Sequence, residues 1–341
     1  MRRRWIIAAS RTLIGAALLA ASAMIIGGVA VAQRERLPVE CRKQIVKLCR
    51  GAEGGFRRCL MTALPKLSDD CRKAISDRAA GRAPEIPGLV QLSYGADPLQ
   101  QLDLLRPANT AHAPILLFLH GGGWSIGDKR QAEGAKPAHF TARGWAFASA
   151  NYRLVPQATV EQQAADIAGA IAWLRAHATE QGLDPDRIVL MGHSAGAHLA
   201  ALVGTDPRYV AAAGVPMTAI RGVVLLDGAA YDVPAQIKAP GNLVQPMYDA
   251  AFGSDAARQR SLSPTFQAAA PNAANWLILP VATRANSVAQ SGGLAAGLTR
   301  AGSRASVVPV PDSSHAELNH QLGTADDFAT GKVDSFLTGL R

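Results

Sequence analysis

The chain has 341 residues, of which 48% are hydrophobic, 18% charged and 5% aromatic, and its formal net charge is +9. That composition excludes a disordered tail, a collagen and a multi-span membrane protein, and the length suits one large or two unequal domains with a substantial core. The charge is uneven: residues 1–32 carry four Arg and no acid, residues 33–88 carry 13 Lys/Arg against 7 Asp/Glu, and the rest carries 18 against 19. A protein that works on nucleic acid normally carries its basic stripe on the catalytic domain, so the nearly neutral large segment argues against nucleic acid. The basic N-terminal fifth fits membrane proximity, each Lys or Arg near an anionic surface being worth about 1 kcal/mol.

Arg2, Arg3 and Arg4 precede an apolar run from Trp5 to Ala32, interrupted by Arg11 and closed by Ala30-Val31-Ala32 before Gln33. A basic start, an apolar middle and small residues at the end form the layout of a secretory signal. The competing reading is an uncleaved anchor, because Thr12 to Ala32 nearly reaches the roughly 20 residues that span a bilayer. Either way the remainder is expected to be exported, to a periplasm or to the medium, and residues 1–32 are set aside from the fold.

All four cysteines, Cys41, Cys49, Cys59 and Cys71, follow closely. Their gaps are too wide for the C-x-x-C knuckle of a metal site, whereas an even set just after a signal reads as a disulfide framework. Ile45 and Leu48 have helical spacing, Gly51, Gly54 and Gly55 break the chain, and a second helical stretch carries Cys59, Leu60, Leu64, Leu67 and Cys71. Two antiparallel helices place Cys49 opposite Cys59 near the turn and Cys41 opposite Cys71 at the open end. Of the three connectivities only this nested one suits a hairpin, and a hairpin this small needs staples. Residues 33–76 are therefore expected to form a cysteine-rich helical hairpin. Residues 77–88, with Gly81, Pro84 and Pro87, read as a linker. The segment resembles a short cysteine-rich repeat of some Golgi and bacterial exported proteins, which implies an interaction or spacer module with an unknown protein partner.

Residues 89–341 alternate strands and helices. Leu99–Leu105 alternates apolar and polar residues, while Ile115–Leu119 and Gly222–Leu226 are continuous apolar runs of the kind covered on both faces. Trp145–Ala150, Ile188–Met191, Trp276–Leu279 and Ser306–Val310 complete the strands. Val160–Gln181, Ala195–Gly204 and Val288–Ala301 read as helices. This alternation predicts an α/β, doubly wound, mostly parallel sheet, with no internal repeat.

Two motifs carry chemistry. Gly192-His193-Ser194-Ala195-Gly196 fits G-x-S-x-G between a strand and an Ala-rich helix, a setting in which a sharp turn pushes the serine hydroxyl out of the backbone. His120-Gly121-Gly122-Gly123-Trp124 directly follows the strand at Ile115–Leu119. Consecutive glycines let bare N–H groups face a ligand, and two of them with the N–H of Ala195 would hold a developing oxyanion. Together with Gly144–Phe147, Asn151-Tyr152-Arg153-Leu154, Asp227–Asp232 and Phe252-Gly253, these motifs resemble the hormone-sensitive-lipase-like esterase/lipase class of α/β-hydrolases from about Leu89 onward. The resemblance implies an α/β-hydrolase fold, hydrolysis of carboxylic esters, Ser194 as nucleophile, and Gly122, Gly123 and Ala195 as oxyanion donors. Relatives of that class also include feruloyl esterases and kynurenine formamidases.

The fold's chain order is nucleophile, acid, histidine. Of the histidines only His315 and His320 follow the last strand, and His315, five residues beyond it, is the expected base. The acid ordinarily follows strand 7, but Pro280–Val288 contains no Asp or Glu. Asn286 stands near the family position and offers a hydrogen bond without charge, a swap that costs about 10⁴ in turnover in a serine protease. Asp227, at the end of strand 6, is the preferred orienting group. Asp312 is three residues before His315 on the same loop, an awkward reach, and an impaired site is the remaining alternative.

Asp232–Asn275 is expected to cap the strand ends, with Pro234, Pro240, Pro246, Met247, Tyr248 and Phe252 apolar enough to line an acyl pocket, and with Trp124 either flanking that pocket or packing. No metal, haem or phosphate motif is present, so no cofactor is implied. Two functional classes remain: an exported serine carboxylesterase acting on a small-molecule ester, or a formamidase-like amide hydrolase in its place, and a hydrolase-fold binding protein that has lost its acid.

Overall fold

The computed structural model describes residues 39–49, 59, 62–80, 86–108, 110–132, 134–239 and 244–340. The expected signal or anchor at 1–32 lies outside them, as does the Gly-rich turn at 50–58. No helix among the described residues is long and apolar enough to cross a membrane.

Eight strands make one sheet: β1 Val90–Ser93, β2 Gln101–Leu105, β3 Ala113–Leu119, β4 Ala146–Ala150, β5 Leu183–His193, β6 Ile220–Leu226, β7 Asn275–Leu279 and β8 Arg304–Val307. Their spatial order is β1-β2-β4-β3-β5-β6-β7-β8. The pairs β1–β2 and β2–β4 are antiparallel and all others parallel. The helices that bear on the site are α1 Val39–Cys49, α2 Asp69–Ala80, α3 Lys136–Ala142, α4 Val160–Ala176, α5 Ala195–Thr205, α6 Gln245–Phe252, α7 Ala285–Arg300, α8 His315–Gln321 and α9 Phe328–Thr338.

The central strands read as unbroken apolar runs because both sheet faces are covered. Ile115, Leu117, Ile188, Leu190, Val223 and Leu225 point to the face packed by α4 and α5. Their alternates Leu116, Phe118, Val189, Met191, Val224 and Leu226 meet Phe140 of α3 and Val333 and Leu337 of α9 on the other. A residue buried at 0–2% exposure on either face contributes about 1.5–3 kcal/mol when large and aliphatic. A Thr159 cap, whose hydroxyl accepts from Gln162 N while the Gln162 side chain returns to the Thr159 N–H, starts α4.

The half-buried β1 was not anticipated. Val160–Gln181 divides at His177 into α4 and a short turn at Ala178–Gln181. The last strand starts at Arg304 and ends at Val307, and Val310 only bridges Val281. Between β6 and β7 the expected cap consists of four short helical segments.

The cysteines pair as Cys41–Cys71 and Cys49–Cys59 around a small core of Ile45, Leu64, Leu67 and Ile75. The return arm is not one helix. Pro65 sits in a single 3₁₀ turn at Leu64–Lys66, Leu67 turns extended, and α2 starts afresh with Asp69 and Asp70 at its positive end. That helix runs through Ala80, so the expected linker at 77–88 begins helical.

Candidate active site

Parallel register brings the chemistry to one sheet edge. His193 of β5 lies opposite Leu226 of β6, and Leu226 opposite Leu279 of β7. The next residues follow suit: Ser194 N–H donates to Leu226 O (3.0 Å) and Asp227 N–H to Leu279 O (2.9 Å). Ser194 and Asp227 therefore emerge side by side at the carboxyl ends of adjacent strands.

Ser194 has φ +57° and ψ −118°, a conformation a non-glycine residue avoids, at a cost on the order of 1–3 kcal/mol. The turn tolerates it because the two motif glycines let the chain fold onto itself: a Cβ on Gly192 would collide with the Gly196 carbonyl, and one on Gly196 with the Leu119 carbonyl. Ser194 is also the residue just before α5, so the N–H of Ala195 opens that helix without an intrahelical acceptor.

His315 is the first residue of α8, not a loop residue. Ser314 caps that helix: its hydroxyl accepts from Glu317 N, and the Glu317 carboxylate accepts from Ser314 N. His315 Nε2 is 3.0 Å from Ser194 Oγ, and His315 Nδ1 is 2.6 Å from Asp227 Oδ2. With Nδ1–H donating to the carboxylate, Nε2 is left to accept the serine proton. His193 Nε2–H donates to the His315 carbonyl at 2.8 Å, fixing the helix start against the nucleophile turn. Burial, reinforced by the neighbouring His315, pushes the His193 pKa well below its ordinary value and keeps that ring neutral.

The Asp227 side chain is wholly buried, with φ +42° at its backbone. Oδ1 accepts from Val281 N–H (3.1 Å) and Ser287 Oγ–H (2.8 Å), and Oδ2 receives the Arg284 guanidinium beside His315. Burial alone would raise the carboxyl pKa. The His315 hydrogen bond, Arg284 and the Val281 N–H outweigh it and hold the group well below the usual carboxylate range.

Asn286 is elsewhere: it is in the first turn of α7, and its amide donates to Gln236 Oε1 at 2.8 Å. Asp312 is exposed, and His320 is exposed on the last turn of α8. Arg284, Ser287 and His193 were not picked out as site residues from the sequence, and no local motif marks them.

The glycine loop lies against the serine. A Cβ on Gly121 would stand 3.1 Å from Ser194 Cβ, and one on Gly122, at φ +125°, would collide with the Ile126 carbonyl. Tyr152 stacks on His120 at 4.3 Å and donates to its carbonyl at 2.7 Å, while Val155 N–H and Gln163 Nε2 both donate to Trp124 O. Burial lowers the His120 pKa to about 4. Trp124 is packed, not open: its indole N–H donates to His198 Nδ1 at 3.2 Å, and its ring meets Tyr248 and Phe252 of α6. Met247 stands directly over Gly123.

The chain superposes on solved esterases. A thermophilic esterase of Thermogutta terrifontis with butyrate bound superposes with a TM-score of 0.61 at 25% identity, over 75% of this chain and 96% of that one. Esterase B of Lactobacillus rhamnosis superposes with a TM-score of 0.63 at 22% identity, over 83% and 95%. The protein has the α/β-hydrolase fold. Within this fold, residues 102–213 match a family model described as BD-FAE. In Mycobacterium tuberculosis, the probable carboxylic ester hydrolase LipM is 38% identical over 125 residues, 35% of this chain and 29% of that protein. Esterase LipC of the same organism is 39% identical over 123 residues, 35% and 30%. The matched segment thus spans less than a third of either relative. The family-model match at residues 102–213 contains the glycine loop and the turn at Ser194, and it ends before Asp227 and His315. No cluster of metal-ligating side chains is present among the described residues.

Proposed function

We propose that the protein is an exported serine carboxylesterase. Ser194 Oγ attacks the ester carbonyl as His315 Nε2 takes its proton, and the N–H groups of Gly122, Gly123 and Ala195 receive the oxyanion. Asp227 keeps the Nδ1–H tautomer and offsets the charge of the imidazolium. His315 then protonates the leaving alcohol, and the acyl-enzyme is cleared by water activated by the same imidazole.

One observation carries this reading: a hydroxyl, an imidazole and a buried carboxylate in series at 3.0 and 2.6 Å, with a bare glycine loop against the hydroxyl. The esterases among the similar proteins support ester chemistry, and the butyrate-bound neighbour supports a short acyl group. The paired cysteines fit an oxidising compartment, in keeping with export. An exported sample is expected to start at Gln33, which N-terminal sequencing reads directly.

The test is a fluorophosphonate probe together with p-nitrophenyl butyrate. Wild type is expected to be labelled and to turn over, and Ser194→Ala to do neither. Folded wild type that takes no label overturns the proposal.

A further inference from the structure

The glycine loop is floppy by composition. Between Gly121 and Gly127 the backbone takes positive φ at Gly122, Gly123, Trp124 and Gly127, and glycine pays the largest entropy to be fixed there. The inner side of the loop is tied down by Tyr152, Val155 and Gln163 of the large domain. Its outer side faces the cysteine hairpin.

Two contacts join them directly and a third runs through α6. Gly127 N–H, buried, donates to Ser76 Oγ of α2 at 3.1 Å. Ile126 packs into the hairpin's own core of Cys41, Ile45, Leu64, Leu67, Cys71 and Ile75. The 3₁₀ turn at Leu64–Lys66 packs on α6, the helix that sets Met247 over Gly123. The first two transmit directly: Ile126 and Ser125 N–H groups both donate to Gly122 O (3.1 and 3.2 Å), and the Ile126 carbonyl occupies the space a side chain on Gly122 would need. Whatever moves Ile126 moves Gly122.

We propose that the stapled hairpin is the outer wall of the oxyanion loop, and that Ser76 and Ile126 are positioning residues that hold Gly122 and Gly123 toward Ser194. This rests on the hydrolase reading above and gives the cysteine-rich segment a role within the same molecule. Neither residue touches substrate; each acts through the loop. Full loss of an oxyanion donor costs about 10²–10³ in turnover, so a loosened donor is expected to cost about tenfold.

The experiment compares wild type, Ser76→Ala and Ser76→Cys on p-nitrophenyl butyrate at 25 °C. Ser76→Ala removes the acceptor and leaves a buried N–H unpaired, whereas the thiol of Ser76→Cys retains a weak acceptor. Expected are kcat and kcat/KM lowered together about tenfold in Ser76→Ala with KM within twofold, and an intermediate loss in Ser76→Cys. Parallel loss marks an interaction made in the transition state. A Ser76→Ala protein with a lower thermal midpoint but wild-type kcat overturns the inference, since a merely structural role does that. If Ser76→Ala does not fold, wild type reduced by a phosphine is assayed in its place. No cysteine lies in the site, so a loss of kcat reversed by reoxidation supports the inference and an unchanged kcat overturns it. Active wild type with indifferent variants sinks only the wall; inert wild type sinks the hydrolase reading as well.

Discussion

Replacing Asp227 with asparagine keeps the shape of the buried group and removes its charge. The carboxylate is surrounded by donors: His315 Nδ1–H at 2.6 Å and Arg284 on Oδ2, and Val281 N–H at 3.1 Å and Ser287 Oγ–H at 2.8 Å on Oδ1. An amide has one oxygen and serves only one of these pairs. With its NH₂ toward His315, the imidazole must present a lone pair at Nδ1, so Nε2 carries the hydrogen and cannot accept the Ser194 proton. With its oxygen toward His315 the tautomer survives, but the NH₂ is pressed on the Val281 N–H. The imidazolium then forms with no counter-charge and with a guanidinium nitrogen 2.9 Å from Nδ1.

Opposite unit charges about 4 Å apart at an effective dielectric near 20 attract by about 4 kcal/mol, which is the term lost. Arg284 is 41% exposed, and solvent screening cuts its unopposed repulsion to roughly 1–2 kcal/mol. The two effects amount to a loss of about 10⁴ in kcat/KM for p-nitrophenyl butyrate. Adding Arg284→Ala to Asp227→Asn removes the repulsion alone and is expected to regain about tenfold, a gain no simple loss of packing produces. Asp227→Asn within tenfold of wild type refutes the reasoning, and a double variant no faster than the single refutes the part assigned to Arg284.

Asn286→Asp is expected to leave kcat/KM within twofold, because that side chain faces Gln236 and not His315; a gain in activity contradicts the geometry. Gly122→Ala forces a Cβ into the Ile126 carbonyl at a positive φ, so kcat should fall by about 10² or more while the fluorophosphonate site itself remains intact; unchanged turnover counts against the loop. His198 and His120 are buried bases whose pKa values are lowered to about 4, chiefly by burial. An unfolded histidine titrates near 6.5, so the unfolded chain binds more protons in between. The stability these neutral rings contribute is complete above about pH 6.5 and is lost as the pH falls toward 4, by roughly 3 kcal/mol for each. The urea midpoint should drop across that window, and His198→Phe should flatten the drop; identical slopes reject the assignment. Asp227, depressed below the usual carboxylate range, contributes its share above about pH 3.9 and gives it up only at lower pH.

Local pattern shows through where local physics decides. β3 and β6 are legible as runs because both their faces are dry, and the glycines around Ser194 and in the loop at Gly121–Gly123 are legible because the backbone there has no other solution. The nested disulfides follow from a hairpin's geometry. β1 escapes because it is a half-buried edge strand whose Gln91 and Ser93 face outward. The α8 boundary is legible in the sequence: Ser314-His315-Ala316-Glu317 has the spacing of a capping box, which places His315 on a helix's first turn. The return arm of the hairpin breaks at Pro65 and Leu67, a break that apolar spacing alone does not reveal.

The acid was the hard case because its environment is assembled from three strand ends, and the same assembly explains the gap after β7. A carboxylate at the end of β6 is buried with no exposed surface, so it persists as an anion only if donors surround it. The segment after β7 supplies them in short order: Val281 N–H, the Arg284 guanidinium and the Ser287 hydroxyl. An aspartate in that segment would face Asp227 across the same imidazole, and two carboxylates at one site cannot both stay ionised. Lack of an acid between Pro280 and Val288 and the presence of Arg284 and Ser287 there are therefore one feature. With the charge placed one strand earlier, the loop that would otherwise carry it becomes its donor shell.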